Sequence, residues 1–254
     1  MKRFLAAIFA VCMTYTGPAS AAELYQVSLL TALMQGVNDG EVTIGELSRH
    51  GTLGLGTVNG LDGEMVAVDG RFFRVGTDGR AVALSPEMAT PFAMVTPFTP
   101  TISAEVPAGL DLPGLEAWLD RLLPPANHPQ AIRLDGTFSA LTLRSVPRQT
   151  PPYPPLLEAL KGQVTFVHQD VSGTLLGFRL PGYVKGMNAP GFHFHFIDAS
   201  RSQGGHVLKL VTGSGRAAIS QLDRIVVTLP GDAAFAGAPL AAEGRGGANA
   251  VEGQ

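Results

Sequence analysis

A chain of 254 residues, 45% hydrophobic and 15% charged, is long enough for one large or two small domains around a sizeable core, which excludes intrinsic disorder. A formal net charge of −3 gives no basis for binding nucleic acid or an anionic membrane surface. The 31 glycines and 19 prolines predict many turns and short strands.

At the N-terminus, Lys2 and Arg3 precede the apolar run Phe4–Met13, and Pro18-Ala19-Ser20-Ala21 supplies small residues. Residues 1–21 therefore read as a signal peptide cut after Ala21, with export to the periplasm or the medium. Cleavage removes Cys12, the sole cysteine, so a mature metal site must use histidine and carboxylate. No later apolar span is long enough for a transmembrane helix, so no membrane contact is expected after cleavage.

Leu24–Asn38 carries leucines at helical spacing and predicts an amphipathic helix. Val42–Leu47 reads as a connector that begins another helical turn. Residues 51–106 are expected to form an antiparallel meander, because Asp62-Gly63, Asp69-Gly70 and Asp78-Gly79 punctuate short apolar segments. Leu112–Leu123 reads as a helix stopped by Pro124-Pro125. Ala131–Val146 is expected to be a strand pair broken at Asp135-Gly136, and Pro147–Pro155 a stiff crossover. Strands follow at Gln163–Gln169, Ser172–Leu180 and Ile225–Leu229, and the tail from Gly231 has no periodicity. The expected organisation is two β-rich lobes with a few helices: 22–147, then 148–230 carrying a metal site, then a tail over 231–254.

The most informative stretch is GFHFHFIDASRSQGGHVLKL, Gly191–Leu210. In a strand, His193 and His195 share one face, and Phe192, Phe194 and Phe196 share the other. The turn-forming residues between this strand and Gly205–Val211 predict an antiparallel hairpin. A register with His195 opposite His206 puts three imidazoles on one face, about 5 to 8 Å apart between paired and diagonal positions. Three neutral imidazoles suit a catalytic Zn²⁺ with an open fourth position; single histidines more often serve structure. His50, His128 and His168 sit in unrelated contexts and read as structural or surface residues. By residue type alone, Arg144 reads as a surface arginine and Glu64 as a solvated turn glutamate. Thr57 and Asn59 fit either a pocket lining or a turn.

Several ordered blocks bring the family into view: GELSRHGTLGLGTVNGLDGEM, DGTF, LRSVPRQ, PPYPPL, GTLLGFRLPGYVKGMNAPGFHFHFI and GGHVL. Together they resemble the α-acetolactate decarboxylases across nearly the whole mature chain. The resemblance implies an α+β fold with the site between β-rich lobes, a homodimer, and zinc held by His193, His195 and His206. It implies decarboxylation of 2-acetolactate (2-hydroxy-2-methyl-3-oxobutanoate) to acetoin and CO₂, with Glu64, Arg144 and the near-terminal Glu252 as catalytic groups. Zinc would act as a Lewis acid on a developing enediolate. Arg144 would grip the substrate carboxylate, Thr57 would line the pocket, and Glu64 and Glu252 would handle stereospecific protonation. Two other readings use the same histidines. A cupin-like metal dioxygenase would need Asp198 as a carboxylate ligand; a non-catalytic periplasmic zinc-binding protein would need neither Glu64 nor Arg144.

Overall fold

The computed structural model describes residues 22–123 and 127–240. In chain order its elements are β1 (Glu23–Val27), α1 (Leu30–Met34), β2 (Val42–Thr43), α2 (Ile44–Leu47), β3 (Leu53–Thr57), β4 (Glu64–Val68), β5 (Arg71–Val75), β6 (Ala81–Ala83), β7 (Ala89–Thr90), β8 (Ala93–Thr96), β9 (Ile102–Val106), α3 (Leu112–Leu122), β10 (Gln130–Ser145), α4 (Leu156–Leu160), β11 (Val164–Leu180), β12 (Gly191–Asp198), β13 (Gly204–Gln221), β14 (Arg224–Thr228) and α5 (Ala233–Gly237). The described chain is mostly sheet with a few short helices, an α+β architecture.

Two sheets carry the molecule, with β2 and β7 forming a separate two-stranded pair. The larger is seven-stranded and mixed, in the order β14-β1-β8-β3-β4-β5-β6. The other is five-stranded, in the order β10-β11-β12-β13-β9, and β10 also pairs with β13. Those pairings close on themselves, since β10 touches both β11 and β13, and β12 bridges the same two strands.

The sheets interleave the two expected lobes. β9 and β10 lie before residue 148 yet belong to the five-stranded sheet, while β14 returns to pair in parallel with β1. Three local expectations also change. The helix expected over 24–38 begins only at Leu30; before it, β1 is bonded on both edges by β14 and β8, and this long-range pairing overrides the leucine spacing. The meander runs only through β3, β4, β5 and β6, because β8 returns to the far edge of β3 and β9 leaves for the other sheet. Asp135-Gly136 is no turn: β10 runs straight through it for 16 residues. Gly136 is there for room, since a Cβ at that position would lie 2.6 Å from the Ser214 carbonyl oxygen on β13.

The core explains the orientation of the site. Leu55, Val66, Phe73 and Val75 of the larger sheet pack against Leu176, Phe178 and Ile197 of the smaller one. The opposite face of the larger sheet is covered by Ile44 and Leu47 of α2, so β3 and β4 are buried throughout. A second core, including Phe138, Phe194 and Phe196, fills the five-stranded side beneath Leu115 and Leu119 of α3. Ser145 Oγ donates to the Val75 carbonyl at 2.8 Å, and Asp69 accepts from Arg133 and Arg201; both contacts fasten one sheet to the other.

Candidate active site

The Phe/His alternation of β12 divides it as strand geometry requires. Phe194 and Phe196 are buried in the core on the α3 side, with Phe192 packed against it, while His193 and His195 face the larger sheet. β12 and β13 are antiparallel, with His195 opposite His206. His206 also pairs with Arg144 on β10, so three strands meet at one imidazole. Gly205 permits that junction: at φ 148° a Cβ would sit 2.7 Å from the Arg144 carbonyl oxygen.

The three rings converge. His193 Nε2 lies 3.2 Å from His195 Nε2 and 3.1 Å from His206 Nδ1, and the ligand atoms of the trio all fall within 4.8 Å of one another. Nitrogens bound about 2.0–2.1 Å from a tetrahedral ion would stand roughly 3.3 Å apart, so the trio is close to a ligand edge in size. His195 Nδ1 lies 2.8 Å from the Met65 carbonyl oxygen. An N–H donated there leaves the Nε2 lone pair facing the other rings, which is the tautomer a metal needs. Burial holds His193 well below the ordinary imidazole range and lowers His195 to about 3, so both are neutral at physiological pH. The donor set, its spacing and the neutrality of His193 and His195 fit a divalent ion with an affinity for imidazole.

The larger sheet approaches from the other side. Glu64, at the start of β4, has its Oε2 3.5 Å from His195 Nε2. It is only 8% exposed, because its strand face is the one packed against the smaller sheet. That burial raises its carboxyl to about 7, against the pull of the Arg144 guanidinium in the opposite direction. Thr57 is paired with Glu64 across β3 and β4, and its hydroxyl donates to the Gly63 carbonyl at 2.7 Å. The Thr57 donor is thus committed to the turn that presents Glu64. Arg144 is 3% exposed, and its Nη1 donates to Gln163 Oε1 at 3.2 Å.

A cavity of about 60 Å³ joins these groups: Thr57, Glu64, Arg144, His193, His195 and His206 all line it. Its remaining wall is apolar and includes Leu30 and Leu33 of α1, Phe92, and Leu156 and Leu160 of α4. A larger groove of about 760 Å³ beside α3 holds Lys209, Asp111 and Glu116, without any of the histidines. Asn59 bonds both ways with the Gly40 backbone. Glu252 and the segment 1–21 lie outside the described residues.

Asp198 is not at the site. Its carboxylate accepts from Ser200 Oγ, from Ser202 through both Oγ and the main-chain N–H, and from the Gln203 N–H, closing the β12–β13 turn. Partial burial raises its pKa, but these hydrogen bonds outweigh burial and hold it below the usual carboxylate range. The other histidines are also elsewhere: His50 stacks on Tyr25 at 3.6 Å, and His128 lies 3.7 Å from Asp223. The sequence reading overlooked the Met65 carbonyl, Gln163 and the α4 leucines. A main-chain acceptor leaves no trace in residue type. The leucines at 156, 157 and 160 are a helical signal, hidden by the proline run before them.

The chain is similar to known proteins over most of its length. A model of the alpha-acetolactate decarboxylase family matches residues 24–242. An alpha-acetolactate decarboxylase of Methanosarcina mazei is 46% identical over 217 residues, 85% of this chain and 75% of that protein. One from Methylococcus capsulatus is 43% identical over 219 residues, 86% and 84% of the two chains. The crystal structure of the Bacillus subtilis alpha-acetolactate decarboxylase superposes with a TM-score of 0.84 at 38% identity, covering 86% of this chain and 93% of that one.

Proposed function

The chain belongs to the alpha-acetolactate decarboxylase family of carboxy-lyases, and from that premise we propose that it converts 2-acetolactate to acetoin and CO₂ with a zinc ion held by His193, His195 and His206. The observation that carries this reading is the convergence of three imidazoles beside a buried carboxyl and a buried guanidinium in one small cavity. When bound, zinc supplies Lewis acidity for the negative charge that develops as a β-keto acid loses CO₂.

The chain's own residues do the rest. Arg144 binds the substrate carboxylate, and its bond to Gln163 fixes the direction of the guanidinium. Glu64, with a pKa of about 7, carries a proton part of the time at neutral pH and delivers it to the carbon that CO₂ has left. A single proton donor fixed on one side of that carbon makes the protonation stereospecific. Thr57 supports Glu64 through the Gly63 carbonyl, a positioning role in place of the direct substrate contact expected for it. Glu252 is proposed as a second carboxylate in the proton relay. The leucine wall keeps water from the reacting carbon.

We further propose that residues 1–21 direct export and are removed, and that the mature protein is a homodimer. N-terminal sequencing and light scattering test those two points. For the reaction, purified protein stripped with a chelator is expected to stop forming acetoin, and one equivalent of zinc to restore it. Undiminished acetoin formation by metal-free protein would overturn the proposal.

A further inference from the structure

We propose that the leucine wall made by α1 and α4 sets the size limit for the alkyl group on C2 of the substrate. The inference rests on the decarboxylase reading above and adds to it the residues that choose among 2-alkyl-2-hydroxy-3-oxo acids.

The polar side of the cavity cannot yield. His193 and His195 sit on β12, which is bonded to β11 along its length, and His195 is tied to the Met65 carbonyl. Arg144 lies within the 16-residue β10, with partners on both edges. A substrate that places its carboxylate and oxygens on that side turns its alkyl groups toward Leu30, Leu33, Phe92, Leu156 and Leu160. The opposite orientation would press methyl groups against Arg144, Glu64 and the imidazoles and strip them of polar partners.

The wall has a different construction. α1 and α4 have five residues each, and neither has a side-chain N-cap. Helices this short do not persist alone. Their leucines form a cluster with Leu61, Phe92 and Val146 that is separate from the inter-sheet core. The wall's shape is therefore the shape of its leucine side chains. In a cavity of about 60 Å³, the room for an added methylene on the wall side is set by what those side chains give up. One misfitting methylene against an apolar pocket wall typically costs about 10- to 200-fold in kcat/KM.

The test is a one-pot competition between 2-hydroxy-2-methyl-3-oxobutanoate and its 2-ethyl homologue, reading the ratio of the two kcat/KM values. That ratio does not depend on how much of a preparation is folded, so destabilised variants remain informative. In Leu33→Ala and Leu160→Ala the ethyl-to-methyl ratio is expected to rise about 5- to 20-fold over the unmodified protein. Leu160→Val, a milder trim, is expected to move it in the same direction. Leu119→Ala, on the fully buried face of α3 in the other core, is expected to leave it within twofold. A ratio within twofold of the parent in the wall variants, or an equal rise in Leu119→Ala, would overturn the assignment. Failure of the unmodified zinc-loaded protein to decarboxylate either acid would instead overturn the functional reading beneath it.

Discussion

The two sheets bring unlike chemistry to one cavity. The five-stranded sheet contributes nitrogen: three imidazoles and a guanidinium from β10, β12 and β13, which meet at His206. The seven-stranded sheet contributes oxygen through β3 and β4: the Glu64 carboxyl, the Met65 carbonyl, and the Thr57 hydroxyl bonded to Gly63. Neighbouring strands suit a ligand trio because paired residues stand about 5 Å apart on one face. A proton carrier needs burial without direct pairing to a cation, and approach from a second sheet provides it. On the proposed mechanism, holding metal and handling the proton fall to different layers of the fold, joined at the His195–Met65 contact.

Damage to each layer should therefore fail differently. His195→Ala removes a proposed ligand and its contact with Met65 of the larger sheet, so bound zinc is expected to fall to background and acetoin formation by more than about 10³-fold. Metal analysis alongside turnover checks this; a variant that keeps stoichiometric zinc would break the division. Glu64→Gln is expected to keep its zinc and lose about 10²-fold or more in kcat, the usual scale for a missing acid–base group. Loss of metal from that variant would move Glu64 into the ligand set.

The same residue gives a stability signature. Its carboxyl titrates near 7 when folded and near 4.5 when solvated, so the native protein binds that proton more tightly than the unfolded chain. Below pH 4.5 both states are protonated and the residue is neutral in the balance. As pH rises from 4.5 through about 7, the metal-free protein pays for a buried charge, up to roughly 3 kcal/mol. Urea unfolding of metal-free Glu64→Gln and its parent should show the variant gaining on the parent between pH 4.5 and pH 8. Parallel profiles would mean that Glu64 is solvated. The smallest expected effect is at Thr57. Thr57→Val should lower kcat by about 10-fold with KM and zinc content little changed, and Thr57→Ser should recover most of the loss. A rise in KM alone would return Thr57 to the direct substrate contact first expected of it.

Much of the ligand side was legible because strand alternation is local. Phe194 and Phe196 could be opposed to His193 and His195 from spacing alone, and the intervening turn residues marked the hairpin, in which the register that unites the three imidazoles, His195 opposite His206, is the one observed. Arg144 and Glu64 were legible only through family resemblance, since residue type argued for the surface. Their low exposure, 3% and 8%, comes from strands that the sequence scatters among different sheets. Gly136 shows the limit from the other side: Asp-Gly reads as a turn, yet here the glycine makes room for a neighbouring strand.

By itself, then, the sequence determined what local periodicity encodes: the three-imidazole strand pair, the Asp-Gly turns of β3 to β6, and helix α3 with Leu115 and Leu119 on its buried face. Tertiary structure decided which strands share a sheet, the desolvation that raises Glu64, the Met65 contact that selects the His195 tautomer, and the leucine wall. The reason is physical. Periodicity reports the face a side chain takes on its own element, whereas burial, pKa and cavity shape depend on which distant element arrives opposite that face.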